Sequence, residues 1–228
     1  MQVIKYPIRE TWATLLKRPV FDSQSLFEKV GNILSDVKLN GDKAVKKYTF
    51  QFDKVQIEQL EVSREEIEEA TLQTPNDLKE AIEMCRRNIW KFHSAQQHDL
   101  PEIQTTPGVV CWQKAMPIEK VGLYVPGGTA PLFSTVLMLG VPAQIAECKE
   151  TVLCTPPDKE GKIHPAVLYA AKVAGIHRIF KIGGTQAIAA MAYGTETVPK
   201  VYKIFGPGNQ FVTAAKQLIA LDGIAIDL

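Results

Sequence analysis

The chain lacks the features that mark several large classes of protein. Its 26 Lys and Arg nearly balance 25 Asp and Glu, so a net charge of +1 gives no electrostatic attraction for nucleic acid or anionic membranes. Gly140, Pro142 and charged residues interrupt the longest apolar runs, so none reaches transmembrane length. The first residues, MQVIKYPIRETW, lack the apolar core and cleavage site of a signal peptide. We therefore expect no nucleic-acid partner and no membrane partner.

Cysteine is scarce and widely spaced. Cys85, Cys111, Cys148 and Cys154 include no C-x-x-C pair, which disfavours a zinc ribbon or a dithiol redox motif. Cys154 lies in an apolar, strand-like run, where a buried and inert thiol is the expected state. Together these features indicate a reducing, cytoplasmic environment.

Residues typical of metal sites and nucleophilic centres do not cluster in the sequence. His93 and His98 are five positions apart and do not share a helix face, while His164 and His177 flank a predicted helix. No group of His, Cys, Asp or Glu offers four convergent metal ligands, and no Ser or Cys lies in a G-x-S-x-G setting. The sequence therefore predicts no catalytic residue and no metal ligand in this chain.

One stretch, VGLYVPGGTAPLFSTVLML from Val121 to Leu139, organises the second half of the chain. An apolar, strand-like run stops at Pro126-Gly127-Gly128, and helical spacing resumes at Ser134. Glycine allows the backbone to adopt a positive φ and to approach a ligand closely. Free amide N–H groups at a helix start attract anions such as phosphate. The pattern predicts a strand, a glycine turn and a helix that could contact a ligand.

The same pattern recurs downstream. The next strand-like runs are Thr151–Thr155, Arg178–Ile182 and Val201–Phe205, and helix-like stretches separate them. Such alternation indicates βαβ units and a parallel sheet, so we predict an α/β fold with a Rossmann-like sheet. We expect Gly223–Leu228 to be the last parallel strand, with its two isoleucines on one face.

The first half of the chain has a different pattern. A helix is predicted from Asp22 or Ser23 to Lys38, followed by a break at Asn40-Gly41. A capping box at Ser63 and Glu66 predicts a second helix start, and a long helix should follow from Asp77 to Gln97. We predict an N-terminal arm (1–20), a mainly helical first domain (21–120) that ends in a hairpin-like connector (100–120), and a Rossmann-like domain (121–228).

Three polar side chains at predicted strand ends are candidate ligand contacts. Tyr124 could fill space as a strand aromatic, or line a cofactor cleft with its hydroxyl paired. Gln186 and Asn209 could cap helices or face solvent, or their amides could bind ribose hydroxyls or a carboxamide. No turn has G-x-G-x-x-G followed by an acidic residue about 20 positions on, so spacing alone predicts a nucleotide-sized ligand without identifying it.

Four segments of the second half resemble the first half of the histidinol dehydrogenase family. They are VGLYVPGG, PLFSTVLM, GGTQAIAAMAYGTETVPKV and KIFGPGNQFVTAAK. Weaker agreement upstream, in FDKV (Phe52–Val55) and NIWKFHSAQ (Asn88–Gln96), extends the resemblance over Gly41 to Leu228. The chain departs from the family at Leu132-Phe133, where many members carry Tyr-Pro and the apolar character is conserved. Family members continue well past the end of this chain.

The resemblance implies a specific chemistry. Tyr124, Gln186 and Asn209 match the positions that the family uses to contact NAD. The family oxidises L-histidinol to L-histidine through L-histidinal, with a zinc ion and a Glu-His pair whose positions lie beyond Leu228. The chain would be the NAD-binding half and inactive alone.

The resemblance also implies that the first domain is incomplete. Apolar residues such as Ile82, Ile89 and Phe92 would then be partly exposed, and the chain would self-associate or form a homodimer.

Two alternatives remain open at this point. An aldehyde-dehydrogenase-like oxidoreductase would need a catalytic cysteine at a strand end, and Cys154 is its candidate. A non-catalytic nucleotide-binding module would need no catalytic group.

Overall fold

A computed structural model of the chain describes residues 3–17, 23–97, 101–128 and 130–227. After a short 3-10 turn at Arg9–Thr11, the helices are α1 (Trp12–Leu15), α2 (Ser23–Asp53), α3 (Arg64–Gln73), α4 (Asn76–Ser94), α5 (Phe133–Ile145), α6 (Pro165–Val173), α7 (Gly184–Tyr193) and α8 (Gln210–Leu221). The strands are β1 (Ile103–Thr106), β2 (Val109–Cys111), β3 (Lys120–Tyr124), β4 (Glu150–Thr155), β5 (Arg178–Lys181), β6 (Lys203–Phe205) and β7 (Ala225–Ile226).

Five strands of the described residues form a parallel sheet in the order β5-β4-β3-β6-β7. Counted along the chain within this sheet, the order is third, second, first, fourth, fifth, which is that of a Rossmann sheet. The predicted α/β fold class is confirmed. The strand order reverses between β3 and β6, so the loops that follow these two strands diverge and leave a crevice at the sheet's carboxyl edge.

Alternating side chains of the strands point into two hydrophobic cores, one on each face of the sheet. Tyr124, Cys154 and Phe180 face a core shared with α2, α7 and α8. Leu123 and Leu153 face the opposite core, which includes residues of α3 to α6. Because both faces are covered, the inner positions of the strands are mainly apolar, as expected for a parallel sheet.

The predicted last strand is confirmed, although it is short. Only Ala225 and Ile226 form β7, which pairs in parallel with β6. Ile224 and Ile226 both pack in the core that contains α8, so they share the face that the alternation predicts.

The helices of the first half pack directly against the helices that flank the sheet. Helix α2 bends at Gly41 (φ 51°, ψ −134°) and lies along α7 and α8, while α4 lies along α5. The capping box at the start of α3 is confirmed, since Glu66 N donates to Ser63 Oγ at 3.2 Å and Ser63 N to Glu66 Oε2 at 2.9 Å. The domain division near Lys120 stays a prediction.

The expectation that Ile82 would be exposed is wrong. Its side chain is fully buried in the core shared by α4, α5 and α6. Ile89 is partly buried against the same core, whereas Phe92 is 64% exposed. The helices of the first half pack their apolar residues against the helices that flank the sheet. The exposed part of the predicted apolar stripe therefore lies in the last turn of α4.

The amino-terminal arm and the connector lie on the surface. The described residues of the arm are all exposed, and the connector forms the predicted hairpin, in which β1 and β2 are antiparallel and exposed. No described helix combines the length and the apolar character needed to cross a lipid bilayer. Several residues singled out above lie outside the described part of the chain: Asp22, His98, Thr129 and Leu228.

We predict that Gly206→Ala strongly destabilises the fold. Gly206 follows β6 at φ 125°, and a Cβ at this position would collide with the backbone carbonyl oxygen of Tyr124. A strained backbone combined with a backbone collision should lower the free energy of unfolding by about 2–4 kcal/mol in denaturant titrations. Gly31→Ala is the matched control, because a Cβ there meets nothing within 4 Å and alanine favours the helix. Equal stability of the two variants would contradict this prediction.

Candidate functional site

A cavity of about 960 Å³ opens at the carboxyl edge of the sheet. Its floor is formed by the loops that follow β3, β4, β5 and β6, and its wall by one side of α2. The cavity lies over the point where the strand order reverses, where ligands bind in open α/β sheets. Its volume lies at the upper end of the usual range for ligand sites, about 300–1,000 Å³, and suits a large ligand.

Glycine allows two loops of the floor, those after β3 and β5, to lie against the loop after β4. The turn Pro126-Gly127-Gly128 follows β3, and a Cβ on Gly127 would lie 2.6 Å from Pro156 Cγ at the end of β4. A Cβ on Gly183, after β5, would lie 2.6 Å from Pro156 Cβ. Any larger residue at either position would push these loops apart.

Tyr124 lies at the end of β3, on the floor of the cavity. Its side chain is almost fully buried, and its hydroxyl oxygen accepts a hydrogen bond from the backbone N–H of Gly184 at 3.0 Å. Burial raises the pKa of Tyr124 to about 12, so the phenol stays protonated near neutral pH. The residue therefore connects the end of β3 to the start of α7, and its hydroxyl hydrogen can still be donated.

Gln186 lies in the first turn of α7 and is 1% exposed. Its side-chain oxygen Oε1 is buried, and no hydrogen-bond partner for it exists among the described residues. Helix α7 has no side-chain cap, so neither capping nor solvent exposure explains this residue. A buried carbonyl oxygen without a donor costs roughly 1–3 kcal/mol, which a ligand with an N–H or O–H group would recover.

Asn209 caps helix α8, as the sequence suggested. Its Oδ1 accepts hydrogen bonds from Phe211 N at 3.0 Å and Val212 N at 3.2 Å. The capping uses the side-chain carbonyl and leaves the NH2 group for other contacts. Because Asn209 also lines the cavity, capping and ligand contact are compatible.

The loop that carries Asn209 is held by a partly buried ion pair that sequence reasoning missed. Lys216, 5% exposed on α8, contacts the carboxylate of Asp227 and donates to the carbonyl oxygen of Gly206 at 3.1 Å. The backbone N–H of Gly206 donates to Asp227 Oδ2 at 3.0 Å. A lysine in an amphipathic helix is usually a surface residue, so nothing in the sequence marked it.

Sequence reasoning also missed Asp53 as a site residue. The residue ends α2, far upstream of the glycine loops, and was noted only as part of the FDKV motif. Its Oδ2 is buried without a hydrogen-bond partner in the described part of the chain, and burial raises the pKa of Asp53 to about 6. Among the described lining residues, Asp53 is the one acidic side chain.

Two further residues of the α2 wall are held in place by one carboxylate. Asp36 accepts hydrogen bonds from Lys47 Nζ at 2.7 Å and from the Tyr48 hydroxyl at 2.8 Å. These bonds, with one from Asn40, lower the pKa of Asp36 to about 2. Lys47 and Tyr48 both line the cavity, so this side of the wall is ordered before any ligand enters.

Cys154 does not form a nucleophilic site. Its thiol, on β4, is fully buried in the core, and burial raises the pKa of the thiol well above the ordinary range. A reactive cysteine needs access and a lowered pKa, so the structure disfavours the aldehyde-dehydrogenase-like alternative. The described residues contain no group of three or more His, Cys, Asp or Glu that could hold a metal ion.

The fold and the cavity define a class: an α/β protein with a Rossmann-like sheet and a ligand-sized cavity at its switch point. The family model described as histidinol dehydrogenase matches residues 16–228, and the chain belongs to this family.

Individual relatives agree with this assignment. A histidinol dehydrogenase of Bacteroides fragilis is 60% identical over 228 residues, which are 100% of this chain and 53% of the relative. The Escherichia coli K12 protein of the same name is 50% identical over 217 residues, 94% of this chain and 49% of the relative. The crystal structure of histidinol dehydrogenase from Elizabethkingia anophelis superposes with a TM-score of 0.93 at 51% identity, covering 97% of this chain and 51% of that one. The chain thus spans about half the length of these relatives.

We predict that Asp53→Asn stabilises the folded chain in a pH-dependent way. The pKa of Asp53 rises from 3.8 to about 6 on folding, so the folded state favours the protonated carboxyl. The protonated Asp53 carboxyl therefore contributes its full stabilisation of the folded state below about pH 4. This contribution is lost as the pH rises through about 6. Because solvent screens this half-buried group, the variant should gain on the order of 1 kcal/mol near pH 7.5 and almost nothing near pH 4.

Urea titrations at both pH values measure this difference. Glu58→Gln removes an exposed carboxylate from the same segment and serves as the control. A gain for Asp53→Asn that is independent of pH, or a loss near pH 7.5, would contradict the assigned pKa shift.

Proposed function

We propose that this chain forms the NAD-binding half of an enzyme that oxidises L-histidinol to L-histidine through L-histidinal. The main observation is the buried, unpartnered oxygen of Gln186 on the floor of a cavity at the sheet's switch point. Membership of the histidinol dehydrogenase family supports the reaction, and the position and volume of the cavity support cofactor binding there.

The residues of the cavity fit a dinucleotide. The glycine turn after β3 lets the backbone approach a pyrophosphate closely, and the volume accommodates a large ligand. Gln186 offers an acceptor to a carboxamide NH2 or a ribose hydroxyl, and Asn209 offers a donor without giving up its cap. Tyr124 offers a hydroxyl hydrogen from a rigid position under the loops.

NAD bound in this cavity would supply an acceptor for the hydride of the carbon that carries the substrate's hydroxyl group. The residues of this chain would bind and orient the cofactor on the sheet and exclude water from its buried face. Because its pKa is about 12, Tyr124 would act near neutral pH as a hydrogen-bond donor and not as a general base.

Zinc is implied by the family resemblance alone. The described residues provide no group of three ligands for it, so we assign it no position and no step here. Self-association or a homodimer remains a proposal for the whole enzyme, and so does a cytoplasmic location.

We expect the purified chain to bind NAD, as measured by isothermal titration calorimetry. Gln186→Ala and Asn209→Ser should each weaken binding about tenfold, the effect of one lost hydrogen bond. Serine keeps the helix cap, so the second substitution removes the amide without removing the cap. Gln217→Ala, an exposed glutamine on α8 away from the cavity, is the matched control. Absence of NAD binding by the wild-type chain, or unchanged affinity in both site variants, would refute the proposed site.

We also expect the chain alone to form no NADH from histidinol and NAD. The resemblance assigns the acid–base pair of the reaction to positions beyond Leu228. The absorbance of NADH measures the reaction, and the full-length enzyme of Bacteroides fragilis is the positive control. Histidinol-dependent NADH formation by the chain above the blank would show that it carries its own acid–base groups.

A further inference from the structure

The strand that usually carries the acidic residue of a Rossmann site has none at its carboxyl end here. In NAD-binding Rossmann sheets, an acidic residue about 20 positions past the glycine turn accepts a hydrogen bond from the adenosine ribose. In this chain the corresponding strand is β4, which ends at Thr155 and continues into Pro156-Pro157. The next acidic residue, Asp158, holds its own turn, since its Oδ1 accepts hydrogen bonds from Glu160 N and Lys162 N at 2.9 Å each.

Asp53 reaches the same region from a different part of the fold. The segment after α2 runs along the outer edge of β5, where Lys181 N donates to Leu60 O and Val62 N to Ile179 O, both at 2.8 Å. Two residues after Asp53, the side chain of Val55 lies 3.6 Å from a Cβ built on Gly161, in the loop that follows β4. Asp53 therefore lies on the β4 and β5 side of the switch point, the side expected for the adenosine ribose.

The chemistry of Asp53 suits a ribose diol. A carboxylate only accepts hydrogen bonds, and its Oδ2 has no donor among the described residues. The two hydroxyls of a ribose supply such donors, whereas a 2′-phosphate would place a second negative charge beside the carboxylate. A lysine could offset the charge of such a phosphate. Two lysines line the cavity, but one of them, Lys47, is already paired with Asp36 at 2.7 Å.

We propose that Asp53 accepts hydrogen bonds from the adenosine ribose hydroxyls of NAD and thereby selects NAD over NADP. The inference depends on the proposed function, because it assigns a role within the NAD site. Asp53 would replace, from helix α2, the acidic residue that β4 lacks at its carboxyl end.

The test compares NAD and NADP binding to the wild-type chain and to Asp53→Asn by isothermal titration calorimetry. We expect the wild-type chain to bind NAD at least about tenfold more tightly than NADP. Asp53→Asn should weaken NAD binding about tenfold and leave NADP binding unchanged or improved, so that the preference is lost. Glu58→Gln, on the same segment and outside the cavity, should keep the wild-type preference.

Partial ligands identify the ribose. ADP contains only the adenosine ribose, whereas nicotinamide mononucleotide contains only the other one. Asp53→Asn should weaken ADP binding and leave nicotinamide mononucleotide binding unchanged. The reverse pattern would overturn the assignment to the adenosine ribose.

The outcomes separate this inference from the proposed function. If the wild-type chain binds neither NAD nor NADP, the proposed function fails. If it binds NAD but shows no preference, or if Asp53→Asn keeps the preference, the inference alone fails. If Asp53→Asn does not fold, the affinities of the wild-type chain for ADP and for 2′-deoxy-ADP are compared, and equal affinities would overturn the inference.

Discussion

The close approach of β3 and β6 at their carboxyl ends is the constraint on which the site depends. The backbone of Gly206 lies so close to the carbonyl of Tyr124 that no side chain fits between them. Lys216 and Asp227 hold Gly206 at both its carbonyl and its N–H, which fixes the loop that leads to Asn209. Because this contact lies at the reversal of strand order, it also determines where the crevice opens.

The site contains unsatisfied polar groups that the fold tolerates at a cost in stability. Gln186 and Asp53 each bury an oxygen that has no hydrogen-bond donor among the described residues, although most buried polar groups in proteins are paired. Such groups destabilise the ligand-free chain and are compensated when a ligand supplies the donors, as functional sites commonly require. Opposite effects of Asp53→Asn on stability and on affinity would be the signature of this arrangement.

The sequence predicted those features of the fold that depend on interactions between residues close to one another along the chain. The alternation of strands and helices, the capping box at Ser63 and the cap at Asn209 depend on residues close in sequence, and the structure contains all three. The residues that local patterns missed depend on tertiary packing. Lys216 looks like a surface lysine until Asp227 and Gly206 are seen beside it, and Ile82 looks unpaired until α4 packs against α5.

Asp53 shows most clearly why the candidate site could be predicted only in part. Its position relative to the sheet is determined at the other end of its helix segment, where α2 bends at Gly41. Directly after the bend, Asp42 N donates to Glu196 Oε2 at 2.7 Å, and Asp42 Oδ1 accepts from Thr195 Oγ1 at 2.5 Å. These bonds attach α2 to the loop that leads from α7 toward β6. The helix between the bend and Asp53 then carries the carboxylate to the cavity that the loop after β4 also lines. No pattern of residues along the sequence predicts the position of Asp53 relative to the sheet. That position results from the packing of α2 on the sheet-flanking helices.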